Sequence, residues 1–333
     1  MSRNILITGG AGFIGSNYIN YHLKKYKEDK IINLDLLTYA GNLDNTTEFS
    51  KNSNYTFIHA DICDLNKLND LFESHQITDV IHFAAESHVD NSINGPEAFI
   101  QTNIIGTHCL LQTAYRHWSK NNSIETSRFH HISTDEVYGS LDETGLFTEK
   151  SQYSPNSPYS ASKASSDMLV RSYNQTFKLN TVITNCSNNY GPKQHKEKLI
   201  PKVIINILNK KPVPIYGKGT NIRDWLYVED HCEAIYKVFN EGIPGEVYNI
   251  GGDNEYKNID LVLLICEKIA KLKNVDVNEY ISLITYVEDR KGHDYRYAVD
   301  ITKIKSELGW VPKHEIHKSI ENTILYYMKQ NDR

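Results

Sequence analysis

Short apolar runs alternate with longer segments of helical periodicity along the first half of the chain. The runs are rich in β-branched and aromatic residues, which favours strands, and the longer segments have apolar residues at helical spacing. Because strands that alternate with helices of this length are typical of a parallel sheet covered on both faces, the pattern predicts a doubly wound α/β fold. The predicted strands are 5–8, 30–34, 55–59, 80–83, 129–133 and 181–185. The predicted helices of this half are 12–26, 66–75, 98–118 and 159–178.

The second half of the chain has a looser pattern, in which glycine and proline interrupt the apolar runs and mark turns. Clear helical periodicity is found there over 258–272 and 316–328. No Ser/Gly-rich linker separates the two halves. We therefore expect residues 1–190 to form the sheet domain and residues 191–333 to form a smaller lobe, packed tightly over the carboxyl edge of the sheet.

Composition narrows the functional classes. The chain has 333 residues, of which 40% are hydrophobic, and a net charge of -5, so no basic surface suggests a nucleic-acid partner. No apolar run approaches the roughly 20 residues that span a bilayer, and the N-terminus does not have the pattern of a signal peptide. The five cysteines are scattered, which predicts reduced thiols in a cytoplasmic protein without a disulfide or a metal site.

A glycine-rich segment predicts a dinucleotide site. Gly9, Gly12 and Gly15 follow the first predicted strand and open the first helix, where a tight turn lets a pyrophosphate approach the helix N-terminus and the amides of Phe13 and Ile14. Asp35 ends the next strand, where a carboxylate bonds the ribose hydroxyls and repels a 2′-phosphate, so NAD is favoured over NADP. This is the Rossmann-type version of the doubly wound fold. The alternative is a plain strand–turn–helix with structural glycines.

Two further strand ends carry candidate cofactor contacts. Asp61 and Ile62 follow the third strand and are placed to flank the adenine, and Phe83, Ala84 and Ala85 follow the fourth. Small residues at a strand end let a flat cofactor lie close to the backbone. Taken alone, each segment is equally compatible with tight packing or a turn acid.

A Tyr-x-x-x-Lys pair suggests alcohol oxidation. Tyr159 and Lys163 are separated by four positions on a predicted helix and therefore share one face. A free phenol is a poor base at neutral pH, but a nearby ammonium and the positive nicotinamide ring favour the phenolate. The hypothesis is that Tyr159 takes the proton from a substrate hydroxyl as hydride leaves, with Thr134 bonded to the same oxygen. A surface Tyr–Lys pair is the alternative.

Two adjacent acids, Asp135 and Glu136, indicate chemistry beyond oxidation. Once an alcohol has been oxidised to a ketone, the proton on the neighbouring carbon is acidified, and loss of water needs one ionised and one neutral carboxyl. Adjacent carboxyls in a secluded pocket push their pKa values apart, which satisfies that need without indicating which one is the acid. A solvated acid pair at a strand end is the alternative.

Several segments resemble those of the extended short-chain dehydrogenase/reductases and, more narrowly, of the dTDP-glucose 4,6-dehydratases. The resemblance covers nearly the whole chain, and its Thr-Asp-Glu block separates dehydratases from the sugar epimerases of the same superfamily. The segments that carry it include 9–15, 83–90, 133–139, 159–163, 185–192, 197–201, 214–217, 223–227 and 248–251.

The resemblance implies an activity and the role of each acid. Glu136 would remove the C5 proton and Asp135 would protonate the departing hydroxyl, in the conversion of a nucleoside-diphosphate glucose to its 4-keto-6-deoxy form for deoxysugar (rhamnose-type) biosynthesis. dTDP-glucose is the expected substrate. UDP-glucose stays open because Lys193, Lys196, Lys291 and Tyr295 differ from the family pattern. A nucleotide-sugar 4-epimerase or decarboxylase is the next alternative, and it should lack the adjacent acids.

The resemblance also implies the binding residues and a homodimer, formed through helices 98–118 and 159–178. The residues implied for the cofactor NAD are Gly9, Gly12, Phe13, Ile14, Gly15, Asp35, Leu36, Thr38, Asp61, Ile62, Phe83, Ala84, Ala85, Ser87, Thr102, Tyr159, Lys163 and Asn189. Those implied for the nucleotide sugar are Ser87, Thr134, Asn188, Lys198, Leu199, Pro214, Tyr216, Arg223, Asn258, Arg290 and His293.

Overall fold

The computed structural model describes residues 2–331 and contains a large parallel sheet with smaller sheets beside it. In chain order the strands are β1 (Asn4–Thr8), β2 (Lys30–Asp35), β3 (Tyr55–His59), β4 (Asp79–His82), β5 (Arg128–Thr134), β6 (Thr181–Cys186), β7 (Asn188–Tyr190), β8 (Val213–Tyr216), β9 (Ile222–Tyr227), β10 (Val247–Ile250), β11 (Glu255–Lys257), β12 (Ile284–Val287) and β13 (Arg296–Tyr297). The main sheet has seven parallel strands in the order β3-β2-β1-β4-β5-β6-β10.

Helices cover both faces of this sheet. In chain order the helices are α1 (Phe13–Lys25), α2 (Leu65–His75), α3 (Val89–Asn94), α4 (Glu97–Phe99), α5 (Thr107–Lys120), α6 (Pro158–Phe177), α7 (Leu199–Leu208), α8 (Val228–Glu241), α9 (Asn258–Lys273), α10 (Asn278–Ile281), α11 (Thr302–Leu308) and α12 (Ile316–Asn331). Of these, α7, α9, α10 and α12 pack with the small sheets and not with the main sheet. α1 and α8 pack on one face, where Ile19 and Ile235 share a buried cluster with Ile5 of β1. α2, α5 and α6 cover the other face, where Leu110 and Val170 pack with Leu6. The doubly wound α/β prediction is therefore confirmed.

The predicted strands of the first half all exist within one or two residues of their predicted ends. One predicted helix, 98–118, is interrupted. The structure has α4, then a π-helical segment over Ile100–Gly106, then α5. A π turn adds one residue to the turn without changing which residues are apolar, so the periodicity did not reveal it.

The second part of the chain is more regular than predicted. α7 and α8 lie between the predicted turns, in segments for which no helix was predicted, and helices 258–272 and 316–328 are confirmed as α9 and α12. β9 is the centre of a small sheet, paired with β7, β11 and β13, and β8 pairs with β12.

The chain returns to the main sheet after its predicted boundary. β10 pairs in parallel with β6, and α8 packs against α1, although both elements lie beyond residue 190. A single cut between residues 190 and 191 therefore does not separate the sheet from everything else. The division stays a proposal in the sense that most of the sheet domain lies in residues 1–190 and most of the smaller lobe lies in residues 191–333. The pairing of β10 with β6 could not be predicted from the sequence, because strand pairing across about 60 residues is not encoded in either segment alone.

Within residues 2–331, every helix is too short or too polar to span a lipid bilayer.

Candidate functional site

A deep cleft runs along the carboxyl ends of the main sheet strands. It lies where the strand order reverses between β1 and β4, which is the usual ligand position in an open parallel sheet. The cleft has an empty volume of about 1600 Å³, including its open mouth. Its walls come from the glycine loop, from the ends of β2, β4 and β5, from α6 and from the segment after β6.

The glycine loop at the entrance to α1 is closely packed. Gly9 has a φ of 72°, and a Cβ on it would lie 2.6 Å from the backbone nitrogen of Ala84. A Cβ on Gly15 would lie 2.4 Å from the carbonyl oxygen of Gly9. Gly12 is the N-cap of α1 and has no side chain to bond the first amides, so the N–H groups of this turn are available to an anion. The loop therefore has the geometry of a pyrophosphate site.

Asp35 ends β2 beside this loop and is buried. Its carboxylate accepts the N–H of Ala11 at 2.9 Å and the N–H of Leu37 at 2.8 Å. Burial raises the pKa of Asp35, and these two bonds oppose that shift. Each carboxylate oxygen has a second lone pair, so Asp35 can still accept the hydroxyls of a ribose.

The structure brings all the predicted cofactor residues together. Every one of the eighteen named from the sequence lines the cleft, from Gly9 to Asn189. A long groove with unbonded helix-terminal amides at its middle and a carboxylate at one end fits a dinucleotide. The exact contacts of each residue remain a proposal.

The start of α6 fixes Tyr159 and Lys163. Ser157 caps the helix by accepting the N–H of Ser160 at 3.0 Å, and the hydroxyl of Ser160 accepts the N–H of Ser157 at 3.0 Å. Pro158 occupies the first turn, where its missing N–H costs nothing. Tyr159 and Lys163 are consequently held rigidly, and both are buried and line the cleft.

Thr134 lies between the predicted base and the predicted acid. Its hydroxyl donates to Oδ1 of Asp135 at 3.3 Å and accepts the N–H of Glu136 at 3.3 Å. A hydrogen bond between Thr134 and Tyr159 lowers the pKa of the phenol, whereas burial and the charge of Glu136 raise it above its ordinary value. Ionising Tyr159 therefore requires a positive charge beside the ring.

The two adjacent acids have different surroundings. Burial first, and then the charges of Glu136 and Asp224, raise the pKa of Asp135 well above its ordinary value. Burial also raises the pKa of Glu136, but the cations of Lys198, Arg290 and Arg223 oppose the rise. The asymmetry favours a neutral Asp135 next to an ionised Glu136.

Three further residues that were predicted to bind the substrate line the same cleft. Lys198 donates to the carbonyl of Ser87 at 2.8 Å. Asn188, at the start of β7, has a buried Oδ1 that no group in residues 2–331 bonds. Such an atom is costly unless a ligand or water bonds it.

Arg223 lies on β9 next to the acids and is buried over the ring of Tyr297, 4.2 Å from its centroid. Its guanidinium donates to the carbonyls of Ile222, Tyr295 and Asp294. These bonds use three of its five N–H groups, so the remainder can bind phosphate.

Arg290, His293 and Tyr216 form a cluster at the outer end, beyond the residues that line the cleft. The hydroxyl of Tyr216 donates to Asp90 at 3.0 Å, Arg290 lies 3.6 Å from the same carboxylate, and His293 contacts Asp289 at 2.6 Å. Asp90 was not predicted as a site residue, although it lies within a segment that carried the family resemblance.

The remaining residues that were predicted to bind the substrate lie on secondary-structure elements near the outer end of the site. Leu199 begins α7, Pro214 lies in β8, and Asn258 begins α9 with an Oδ1 that has no partner in the described chain. These residues do not line the cleft itself.

Several cleft residues were not predicted. Most of them lie at strand ends or turns and have small or apolar side chains, and three lie in the loop that follows β7. The strand-end and turn residues are Leu34, Ala40, Gly41, Ala60, Glu86, Ile132, Ser133, Cys186 and Ser187, and the loop residues are Gln194, His195 and Glu197. Glu86, Ser133, Cys186, Ser187 and Glu197 lie in segments that carry the family resemblance, which is the sequence signal that could have found them.

The described residues contain no group of three or more His, Cys, Asp or Glu side chains arranged to hold a metal ion. The groups that the site offers are a phenol, a lysine, two carboxyls in different surroundings and several cations. This set suits proton transfer around a carbohydrate that is anchored by phosphates.

Known proteins resemble this chain over nearly all of its length. Residues 6–323 match the family model described as GDP-mannose 4,6 dehydratase. A dTDP-glucose 4,6-dehydratase of Escherichia coli is 52% identical, over 98% of this chain and 94% of the relative.

Two solved structures have the same fold. A dTDP-glucose 4,6-dehydratase from Streptomyces venezuelae, with NAD bound, has a TM-score of 0.91 at 42% identity and covers 99% of this chain and 98% of its own. The corresponding protein of Bacillus anthracis, in complex with NAD, has a TM-score of 0.87 at 44% identity, with the same coverage of 99% and 98%.

Proposed function

Because this chain belongs to the dTDP-glucose 4,6-dehydratase family, we propose that Tyr159, Asp135 and Glu136 perform the proton transfers of the reaction. The enzyme is an NAD-dependent hydro-lyase that converts dTDP-glucose to the 4-keto-6-deoxy sugar. The observation that carries the assignment of roles is the unequal environment of the two adjacent acids.

Oxidation at C4 is assigned to the first turns of α6. Tyr159 removes the proton of the 4-hydroxyl, and Thr134 orients the same oxygen through its hydroxyl. Lys163 supplies positive charge close to the cofactor ribose. Bound NAD takes the hydride from C4, returns it to C6 in the last step, and adds its own positive charge beside the phenol. That charge offsets the burial which otherwise keeps Tyr159 protonated.

Elimination of water is assigned to the two acids. Glu136, whose charge three cations stabilise, takes the C5 proton that the new ketone has made acidic. Asp135, whose proton is retained by burial and by neighbouring negative charge, gives it to the 6-hydroxyl, which leaves as water. Glu136 then returns a proton to C5. The sugar has lost one water, and the overall redox state is unchanged.

The diphosphate and base are assigned to the cationic end of the site. Arg223 and Arg290 bind phosphate oxygens through the N–H groups that their protein contacts leave open. His293, Lys198, Asn188 and Ser87 lie towards the sugar and phosphates. The base end is assigned to the exposed ring of Tyr216 and to Leu199, Pro214 and Asn258.

UDP-glucose is the second candidate substrate. The uracil and thymine rings differ by one methyl group, which a pocket discriminates by roughly 1–3 kcal/mol. A nucleotide-sugar 4-epimerase or decarboxylase is the less favoured alternative, since the adjacent Asp135–Glu136 pair has no use in either reaction.

The same proposal includes a homodimer, a cytoplasmic location and a role in deoxysugar biosynthesis. Ile100, Ile105, Met168 and Phe177 are exposed on the π-helical segment and on α6, at 51%, 41%, 51% and 40%, which supports a homodimer through these helices. The five cysteines are free thiols, as a reducing cytoplasm favours. The product would enter deoxysugar biosynthesis of the rhamnose type.

One experiment tests the activity directly. The purified protein is incubated with dTDP-glucose and with UDP-glucose in parallel, and mass spectrometry follows the nucleotide sugar. We expect loss of one water from dTDP-glucose. A product of unchanged mass that chromatography separates from the substrate would instead support the epimerase.

A further inference from the structure

A buried polar cluster lies behind Lys163, on the side away from the substrate. Lys163 donates to the carbonyl of Ile132 at 2.9 Å, and its Nζ lies 3.3 Å from Nε2 of His131. The same Nε2 lies 3.3 Å from Oδ1 of Asp167. All three side chains are at most 3% exposed, so solvent screens their charges very little.

The secondary structure holds the three groups in line. Lys163 and Asp167 are four residues apart on α6 and share the face that carries Tyr159. His131 and Ser133 alternate along β5 and face that helix. Asp167 is fixed from the other side, because its Oδ2 accepts the hydroxyls of Ser133 at 3.0 Å and of Tyr153 at 2.9 Å.

The charge of this cluster can be assigned from burial. Burial lowers the pKa of His131 well below its ordinary range, so the imidazole is neutral at physiological pH. Asp167 carries the compensating negative charge, and its attraction opposes the burial that lowers the pKa of Lys163 to about 8. Lys163 in turn opposes the burial that raises the pKa of Asp167 to about 6.

The other groups around the cluster do not replace Asp167. Burial raises the pKa of Cys186 to about 12 and lowers the pKa of His82 well below its ordinary value, so both are neutral. Tyr153 and Tyr138, which face Asp167, also have pKa values raised by burial. Within residues 2–331, the titratable groups that interact with Lys163 or Asp167 are Tyr138, Tyr153, His82, His131 and Cys186. Asp167 also lines a second cavity, whose other charged residues are Glu149, Lys150, Arg171, Glu246, Asp300, Lys303 and Glu307.

We propose that Asp167, which faces Lys163 beside the neutral ring of His131, is the buried counter-ion that keeps Lys163 charged, and that it thereby sets the alkaline limit of the reaction. Asp167 and His131 are positioning residues, since neither lies among the residues assigned to the sugar or to the cofactor. The inference rests on the proposed role of Lys163 in C4 oxidation. In this inference, the protonation state of the site depends also on Asp167 and His131, which lie behind the residues assigned to the sugar and to the cofactor.

The test is the pH profile of kcat at saturating dTDP-glucose in the NAD-loaded enzyme. Asp167→Asn keeps the shape of the side chain and an oxygen to accept the two hydroxyls, but removes the charge. We expect the alkaline limb of kcat to move to lower pH by about one unit, because an opposite charge at this range stabilises the charged form by at least that amount. An unmoved limb in a folded, NAD-binding variant would overturn the proposal.

The matched control is Tyr153→Phe, which removes a hydrogen bond from Asp167 but keeps its charge. Its alkaline limb should stay at the wild-type position, and a shift equal to that of D167N would mean that packing, and not charge, is responsible. Lys163→Arg gives an independent test that does not depend on D167N folding. Since a guanidinium stays protonated, the limb should move to higher pH, up to the point at which the acid Asp135 ionises, and an unmoved limb would overturn the proposal.

The outcomes separate this inference from the proposed function. If the wild-type enzyme forms no dehydrated product, the proposed function fails. If the wild-type enzyme forms it, and the limb does not respond to Asp167 or to Lys163, only the counter-ion proposal fails.

Discussion

The hydroxyl of Thr134 donates a hydrogen bond to Oδ1 of Asp135 over 3.3 Å, and the same residue bonds Tyr159. One hydroxyl thus touches the group assigned to oxidation and the group assigned to elimination. Over a full cycle Tyr159 gains a proton and Asp135 loses one, so both must be restored before the next substrate. A residue bonded to both is well placed to affect more than one step.

Replacing Thr134 by valine should therefore slow catalysis strongly. Valine has nearly the same shape but no hydroxyl, and we expect kcat to fall by about 100-fold, the lower end of the effect of a positioned proton-transfer group. Steady-state assays with dTDP-glucose measure this. Thr134→Ser, which keeps the hydroxyl, should retain most of the activity, and equal kcat for T134V and the wild type would contradict the role.

Replacing each acid should stop the reaction at a different point. Asp135→Asn leaves C4 oxidation and C5 proton removal intact but cannot protonate the leaving hydroxyl, whereas Glu136→Gln cannot remove the C5 proton. In deuterated water we expect D135N to exchange the C5 hydrogen of recovered dTDP-glucose without dehydrating it, and E136Q to leave it unexchanged. NMR of the recovered sugar distinguishes the two, and exchange in E136Q alone would reverse the assignment.

The acid limb of the pH profile should respond to Lys198. The ionised form of Glu136 is the base, so activity falls as pH drops through its raised pKa. Removing a cation destabilises the carboxylate and raises that pKa further. Lys198→Met should consequently move the acid limb of kcat to higher pH, measured at saturating substrate.

Lys196→Met is the control for this shift. Lys196 is exposed and lies two positions away, and it is not among the charges that act on Glu136. The acid limb of the pH profile of kcat for Lys196→Met should match that of the wild-type enzyme. A common shift in both variants would mean that net charge, and not the contact with Glu136, controls the limb.

Gly15→Ala should weaken cofactor binding. The added methyl would lie 2.4 Å from the carbonyl of Gly9, so the glycine loop must move away from its present position. We expect less NAD to copurify with the variant and a lower Tm. Gly95→Ala is the comparison, because its Cβ would meet no atom closer than 4.0 Å, and an equal loss of NAD there would contradict the argument.

Much of the cofactor site could be predicted because its signals are local. The glycine loop and Asp35 are placed by one strand–turn–helix and the next strand, so spacing alone brings them together. Tyr159 and Lys163 are likewise related by one helical turn. The acids follow directly from β5, a strand whose position the alternation of strands and helices predicts.

The parts that could not be predicted depend on distant contacts. The difference between Asp135 and Glu136 arises from Lys198, Arg290 and Arg223, which come from three separate segments of the chain. The pairing of β10 with β6 also joins segments that carry no mutual signal. Sequence periodicity reports which side of an element is apolar, but not which neighbour covers it.

The late arrival of β10 has a consequence for synthesis on the ribosome. Until residues 247–250 have emerged, β6 is the outermost strand, with its hydrogen-bonding groups unpaired on one side. Such an unpaired sheet edge can form hydrogen bonds with strands of other nascent chains. Productive maturation thus requires more than two-thirds of the polypeptide to be translated, and a truncated product ending near residue 190 would be prone to aggregate, whatever catalytic groups it already contained.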